Sequence, residues 1–346
     1  MERLIEKAQA MHGSDLHLHV GLPPLVRVDG SLVPMAEPVL TQEDCSRYAR
    51  ELLGREIPAG GQVDFAANAA GRRLRVNLFY SQGQPALAIR LLAERIPELT
   101  SLGLPPAALD LTRLRRGIVL VTGETGSGKS TTLAAMLNEI NRIRKAHILT
   151  LEDPIEYEYT PDKCLVSQRE VGRDTESYSQ GLRAALREDP DVILIGEMRD
   201  MDTIETALTA AETGHLVFAT LHTGSAPDSV DRIVSVFPEG RQPQVRMQLS
   251  MTLRAVITQQ LLPKIGSGRA LACELMIVNP AVRNLIREGK TPQIASTLAT
   301  SAKDGCVTMD NSLLRLARDR RITAETAISA AQDGAYLKKA LGLPGM

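Results

Sequence analysis

Residues 117–130 read GIVLVTGETGSGKS. The first six are apolar almost without a break, the pattern of a strand buried on both faces. Residues 123–130 then satisfy G-x-x-x-x-G-K-[ST] at every fixed position, and the following TTLAAMLNEI suits a helix, so the motif has the strand before it and the helix after it that its chemistry requires. Glycines let backbone N–H groups wrap phosphate oxygens, and a helix N-terminus adds unpaired donors and the positive end of its dipole. Phosphate contacts are therefore expected from Gly123, Thr125, Gly126, Ser127, Gly128, Lys129, Ser130 and Thr131. Lys129 is expected to reach the β and γ phosphates, and the Ser130 hydroxyl to ligate Mg²⁺.

Working outward, apolar runs recur at 148–151, 192–195 and 216–221, separated by helical stretches. Such runs predict an α/β core whose mostly parallel sheet carries helices on both faces. Polar boxes adjoin three of these strands, at the ends where open α/β sheets bind ligands. LEDPIE (151–156) can bring carboxylates near a γ phosphate. VILIGE (192–197) ends in Glu197, whose longer side chain suits a water-bridged metal contact or activation of water. GHLVFATLHT (214–223) puts a histidine, His215 or His222, at each end of a buried strand. Alone, either histidine would be read as structural; three polar strand ends converging on one phosphate loop favour a site. Asp191 opens its strand at the wrong end for phosphates and reads as a turn residue.

The 40 basic and 41 acidic residues give a formal charge of −1, so no global field draws the chain to nucleic acid or anionic lipid. Aromatic residues make up 3% with no Trp, leaving few stacking platforms for single strands, and no nucleic-acid partner is expected. The four cysteines are far apart and form no C-x-x-C pair, so they read as buried thiols. No stretch approaches the roughly 18 apolar residues of a membrane span, which points to a cytoplasmic protein. Residues 14–34, SDLHLHVGLPPLVRVDGSLVP, alternate apolar and polar with Gly and Pro punctuation, predicting short antiparallel strands. More strands are expected at 73–79 and 87–91 and a helix near 43–53, making residues 1–96 a small α+β domain. The Pro-rich 97–112 reads as a linker, 113–278 as the nucleotide-binding core, and 279–346 as amphipathic helices such as 309–320 and 324–331.

At this point the boxes GETGSGKS, LEDPIE, ILIGEMRD and GHLVFATLHT, in that order, resemble the secretion ATPases that power type II secretion and type IV pili. SDLHLHVGLPPLVRVDG is similar to the start of that family's PAS-like N-terminal domain, so the resemblance covers nearly the whole chain. AVRNLIREGK (281–290) resembles the C-terminal motif of the pilus-retraction subgroup, with Val282 where Ile is usual. The resemblance implies a RecA-like P-loop core, ATP and Mg²⁺, and ATP hydrolysis coupled to mechanical work. It implies Glu156 and Glu197 as the key acidic residues, Glu197 the favoured catalytic carboxylate and a water-mediated Mg²⁺ contact. It also implies that His215 and His222 couple the γ phosphate to the neighbouring domain, and that Arg75 in LRVN and Arg90 in AIRLL are arginines brought to the nucleotide.

By the same resemblance the chain is expected to be a homohexamer at the inner membrane, working through a platform protein of the pilus machine, with a sister retraction ATPase as a further partner. The rival enzyme readings are a pilus-extension, secretion or DNA-transfer ATPase. A rival of another class is a regulatory subunit that binds nucleotide without hydrolysing it. The absence of a four-cysteine zinc insertion and the presence of AVRNLIRE favour retraction, and the complete acidic and histidine boxes favour hydrolysis.

Overall fold

Alternating apolar residues early in the chain build a six-stranded antiparallel sheet. The computed structural model describes residues 1–28, 30–92 and 95–343 and divides into two units, Met1–Arg95 with Pro154–Glu158, and Ile96–Asp153 with Tyr159–Met346. The first unit holds α1 (Glu2–Ala10), β1 (Asp15–Leu18), β2 (Leu25–Val28), β3 (Ser31–Pro34), α2 (Gln42–Leu53), β4 (Gln62–Ala69), β5 (Arg72–Ser81) and β6 (Gln84–Leu91), with strand order β3-β2-β1-β6-β5-β4. Leu16, Leu18, Leu74, Val76, Leu78, Leu87 and Ile89 leave one sheet face and meet Ile5 of α1 and Cys45 and Ala49 of α2 in one core. Thr41 and Asp44 cap α2 reciprocally, and Gly54 ends it in the left-handed conformation. The strand β4 and the helix α1 lie where no element was expected. The small residues of β4 weaken its alternation, and α1 is a short amphipathic helix defined by what it packs on, Leu4, Ile5 and Ala8 being buried.

The second unit begins with residues the sequence assigns to a linker. Leu99, Ala108 and Leu111 are buried, however, and α3 (Pro106–Asp110) forms inside the stretch, so it is part of this unit's packing. Then follow β7 (Gly117–Thr122), α4 (Lys129–Ile143), β8 (His147–Glu152), β9 (Leu165–Glu170), α5 (Tyr178–Ala185), β10 (Val192–Ile195), α6 (Met201–Glu212), β11 (Leu216–Leu221), α7 (Ala226–Ser235), α8 (Gln242–Thr252), β12 (Leu253–Pro263) and β13 (Arg269–Ile277). The sheet runs β13-β12-β7-β11-β10-β8-β9, parallel throughout except for β13, which pairs antiparallel with β12. Ile118 and Leu120 join a core with α5, α6, α7 and α8, while the intervening Val119 and Val121 are equally buried on the other face. Both faces are therefore covered, as the unbroken apolar runs predict.

Helices α9 (Pro280–Arg287), α10 (Ile294–Thr300), α11 (Met309–Arg318), α12 (Ala324–Ala330) and α13 (Gly334–Ala340) complete the unit. Ala270 and Ala272 of β13 form a core with Met309 and Leu313 of α11, so this helical region packs on the sheet. All four cysteines are buried, and burial pushes the thiols of Cys45 and Cys273 up to about 11 and about 12, which keeps them protonated. No helix among the described residues is long and apolar enough to cross a membrane.

Candidate functional site

Because β7, β11, β10 and β8 are parallel and adjacent, their carboxyl ends form one row. Along that row stand the phosphate loop after Thr122, His222 after β11, Glu197 two residues past β10, and Glu152 closing β8. This edge of the sheet is where an open α/β fold binds ligands.

The loop 123–128 is shaped by Gly123, Gly126 and Gly128, at φ of 137°, 82° and 93°. These are left-handed values that only glycine adopts freely. A Cβ on Gly123 would also strike the backbone carbonyl of Gln259 and lie 2.6 Å from Ser127 Oγ. Lys129 is buried as the first residue of α4, and its Nζ donates to the carbonyls of Gly123 at 2.7 Å and Glu124 at 2.9 Å. Ser127 Oγ is buried with no hydrogen-bond partner among the described residues. A buried ammonium donating to two backbone carbonyls, a buried hydroxyl, and amides around a helix N-terminus fit a polyphosphate, and Ser130 in the first turn of α4 fits the position of a hydroxyl ligand to Mg²⁺. Gln259 of β12 braces the loop's helix by donating to Thr132 Oγ1 at 2.7 Å.

Glu197 sits in a turn fixed on both sides. Gly196 donates its N–H to the Leu151 carbonyl at 2.8 Å, Met198 donates its own to the Thr220 carbonyl at 3.2 Å, and the Thr220 hydroxyl donates to the Gly196 carbonyl. Asp200 caps α6 immediately after, accepting from Thr203 N at 2.8 Å. Met198 is 3% exposed and points into the core, which turns Glu197 and Arg199 to the opposite side together. Arg199 Nε and Nη2 each lie 2.6 Å from a different carboxylate oxygen of Glu197, and His222 Nε2 lies 3.4 Å from Oε1. Partial burial raises the Glu197 carboxyl, but the hydrogen bonds from Arg199 and the charge of His222 outweigh it and hold the group below the usual glutamate range. Glu152 accepts from Thr150 Oγ1 at 2.7 Å. Tyr178, at the start of α5, is pushed well above the ordinary phenol range by burial and then by Asp153, Glu197 and Glu152, so it stays a neutral phenol beside these carboxylates.

The row thus gathers the phosphate-loop residues, Glu197 and His222. It does not gather His215, which precedes β11, and whose carbonyl accepts from Gly117 N at 3.0 Å at the start of β7, the opposite edge of the sheet from the phosphate loop. Its ring bonds through Nδ1 to the Ala210 carbonyl at 2.9 Å, the local structural arrangement a lone histidine favours. Asp191 is the turn residue expected, its carboxylate accepting from His147 N at 2.8 Å. Glu156 lies in Pro154–Glu158, which belongs to the first unit. There Arg73 donates to the Ile155 carbonyl at 2.9 Å and pairs with Glu158 at 2.6 Å. Arg75 and Arg90 are direct cross-strand partners on the exposed face of the first unit's sheet, and Arg90 Nε lies 2.9 Å from Asp15 Oδ1. Sequence reading assigned no role to Arg199, Tyr178 or Gln259. Alternation in GEMRD contains the signal for Arg199, since residues 197 and 199 share a side of any extended turn; Tyr178 and Gln259 enter only through packing.

A family description, Type II/IV secretion system protein, matches residues 2–333 of the chain. The chain is 46% identical over 319 residues to the type IV pilus retraction ATPase PilT of Pseudomonas aeruginosa, covering 91% of this chain and 93% of that one. It is 48% identical over 316 residues to a twitching motility protein of Neisseria gonorrhoeae, covering 90% and 84%. The crystal structure of a pilus retraction motor PilT with bound ADP superposes with a TM-score of 0.89 at 48% identity, covering 98% of this chain and 99% of that one.

Proposed function

The chain belongs to the type II/IV secretion system protein family, and from that membership we propose that it is an ATP-hydrolysing motor that powers type IV pilus retraction. The observation that carries the reading is the row of phosphate loop, His222 and Glu197 on the adjacent carboxyl ends of β7, β11 and β10. In this reading the second unit is a RecA-like ATPase core and the first a PAS-like domain. Lys129 exchanges its two carbonyl partners for the β and γ phosphates, the Gly123–Gly128 amides hold the remaining oxygens, and Glu197 orients and deprotonates the attacking water. Mg²⁺ would be held by Ser130 and through water by Glu197, and would supply positive charge against the phosphates. His222 reads the state of the γ phosphate through its contact with Glu197. Arg75 and Arg90 answer transition-state charge, an effect worth about 10³–10⁵ in rate in other NTPases. Glu156 is the second key acidic residue of this reading, and His215 is the second histidine of the pair that couples the γ phosphate onward.

The motor is read as a cytoplasmic homohexamer at the inner membrane, pulling through a platform protein of the pilus machine and working beside a sister retraction ATPase. Phosphate release by the purified chain tests the enzyme, with Lys129→Ala expected to lose productive nucleotide contact and Glu197→Gln to keep ATP bound but barely turn it over. Near wild-type hydrolysis by Glu197→Gln overturns the catalytic assignment, and no hydrolysis by the wild type favours a regulatory subunit. Deleting the gene is expected to abolish twitching while leaving surface pili; loss of the pili themselves would make it an extension or secretion motor.

A further inference from the structure

The contact between Arg199 and Glu197 is not accounted for by hydrolysis as described. A carboxylate that must orient and deprotonate water has both oxygens engaged by one guanidinium, a paired geometry that is among the stronger charged hydrogen bonds. The two partners differ in how freely they move. The Glu197 side chain is 18% exposed and that of Arg199 75%. Met198, Asp200 and the Thr220 contacts fix the backbone on either side of the pair, so the pair opens by a swing of the Arg199 side chain with no refolding of the turn. Ion pairs with one solvent-exposed partner are cheaply broken. The phosphate loop lies two strands away along the same sheet edge, about 10 Å by ordinary strand spacing, and its ligand is a stronger anion than one carboxylate.

We propose that Arg199 is a latch that holds Glu197 in the nucleotide-free chain and transfers to the γ phosphate when ATP binds, freeing the carboxylate for water. The proposal rests on Glu197 being the residue that acts on water. It makes occupancy by ATP, which has the third phosphate, different from occupancy by ADP, which lacks it: only ATP draws the arginine off. His222, 3.4 Å from the same carboxylate oxygen, remains as its partner after the latch opens.

The test is a double-variant cycle on the full-length chain, measuring affinity for a non-hydrolysable ATP analogue and for ADP. Arg199→Ala is expected to weaken the analogue about tenfold, the value of one charged hydrogen bond, and to leave ADP unchanged. Glu197→Gln removes the carboxylate that competes for Arg199. It is expected to tighten the analogue several-fold, and that gain should vanish when Arg199→Ala is also present. Arg199→Lys keeps charge without the two-pronged geometry and should restore only part of the analogue's affinity. Equal effects on analogue and ADP, or additive variants, would return Arg199 to a structural role. Should Glu197→Gln hydrolyse ATP normally, the catalytic assignment fails, while the affinity cycle still reports separately whether the latch exists.

Discussion

The phenol oxygen of Tyr178 stands 2.8 Å from the point where a Cβ on Gly196 would lie, closer than side-chain carbons approach their neighbours in folded proteins. Gly196 is not in a left-handed conformation, so its need for glycine is one of space. A methyl there must displace either the half-buried Tyr178 ring or the turn that aims Glu197. We expect Gly196→Ala to lower ATP turnover more than tenfold while costing about 1–3 kcal/mol of stability, the usual range for overpacking. Adding Tyr178→Phe removes the blocking oxygen and should return part of the rate. Phosphate-release assays with melting curves for the three variants check this, and wild-type turnover by Gly196→Ala would show that the site tolerates the shift.

Arg75 and Arg90 face each other across β5 and β6, yet among the described residues only Arg90 has a carboxylate beside it. Burial raises the Asp15 carboxyl, but hydrogen bonds from Ser14 and Arg90 outweigh it and leave the group below its usual range. A depressed folded-state pKa gives stability that is present above the unfolded-state pKa, about 3.9 for Asp, and is lost as pH falls through the folded value. Arg90→Ala should therefore move acid unfolding to higher pH, and Arg75→Ala should not. If both arginines serve the nucleotide, each variant keeps ATP binding and loses most turnover at saturating ATP. An Arg90 variant with altered acid unfolding and normal turnover would restrict that residue to a structural role.

Helix α9 buries Val282 and Ile286, packs Leu285 against the same core, and leaves Arg283, Arg287 and Glu288 exposed. Its N-terminus is capped by Asn279, whose side chain accepts from Val282 N at 2.9 Å. Reversing charge at Arg283 and Arg287 together touches neither the buried stripe nor the cap, so folding and basal ATP hydrolysis should change little, exposed substitutions usually costing within about 0.5 kcal/mol each. Retraction measured in cells carrying the double variant should fail. Normal retraction would sink the coupling role of this helix, and loss of both activities would mean the face is structural.

The chain's local chemistry determined the phosphate loop, the parallel strands at 192–195 and 216–221, and the amphipathic stripe of α9. Each rests on a fixed spacing: glycines that permit one backbone path, unbroken apolar runs that need cover on both faces, apolar residues at i, i+3 and i+4. What periodicity does not encode is which strand lies beside which. Strand order set His222 and Glu197 in one row with the phosphate loop and put His215 at the far edge, although the two histidines bracket the same strand. Packing drew 97–112 into the second unit through Leu99, Ala108 and Leu111, and assigned Pro154–Glu158, with Glu156, to the first. Gly196 and Tyr178 are separated by eighteen positions in sequence, and only the packing of α5 beside β8 and β10 makes one the reason for the other. Such contacts belong to tertiary structure because they depend on the sum of many weak burials across the sheet, which no short window of residues contains.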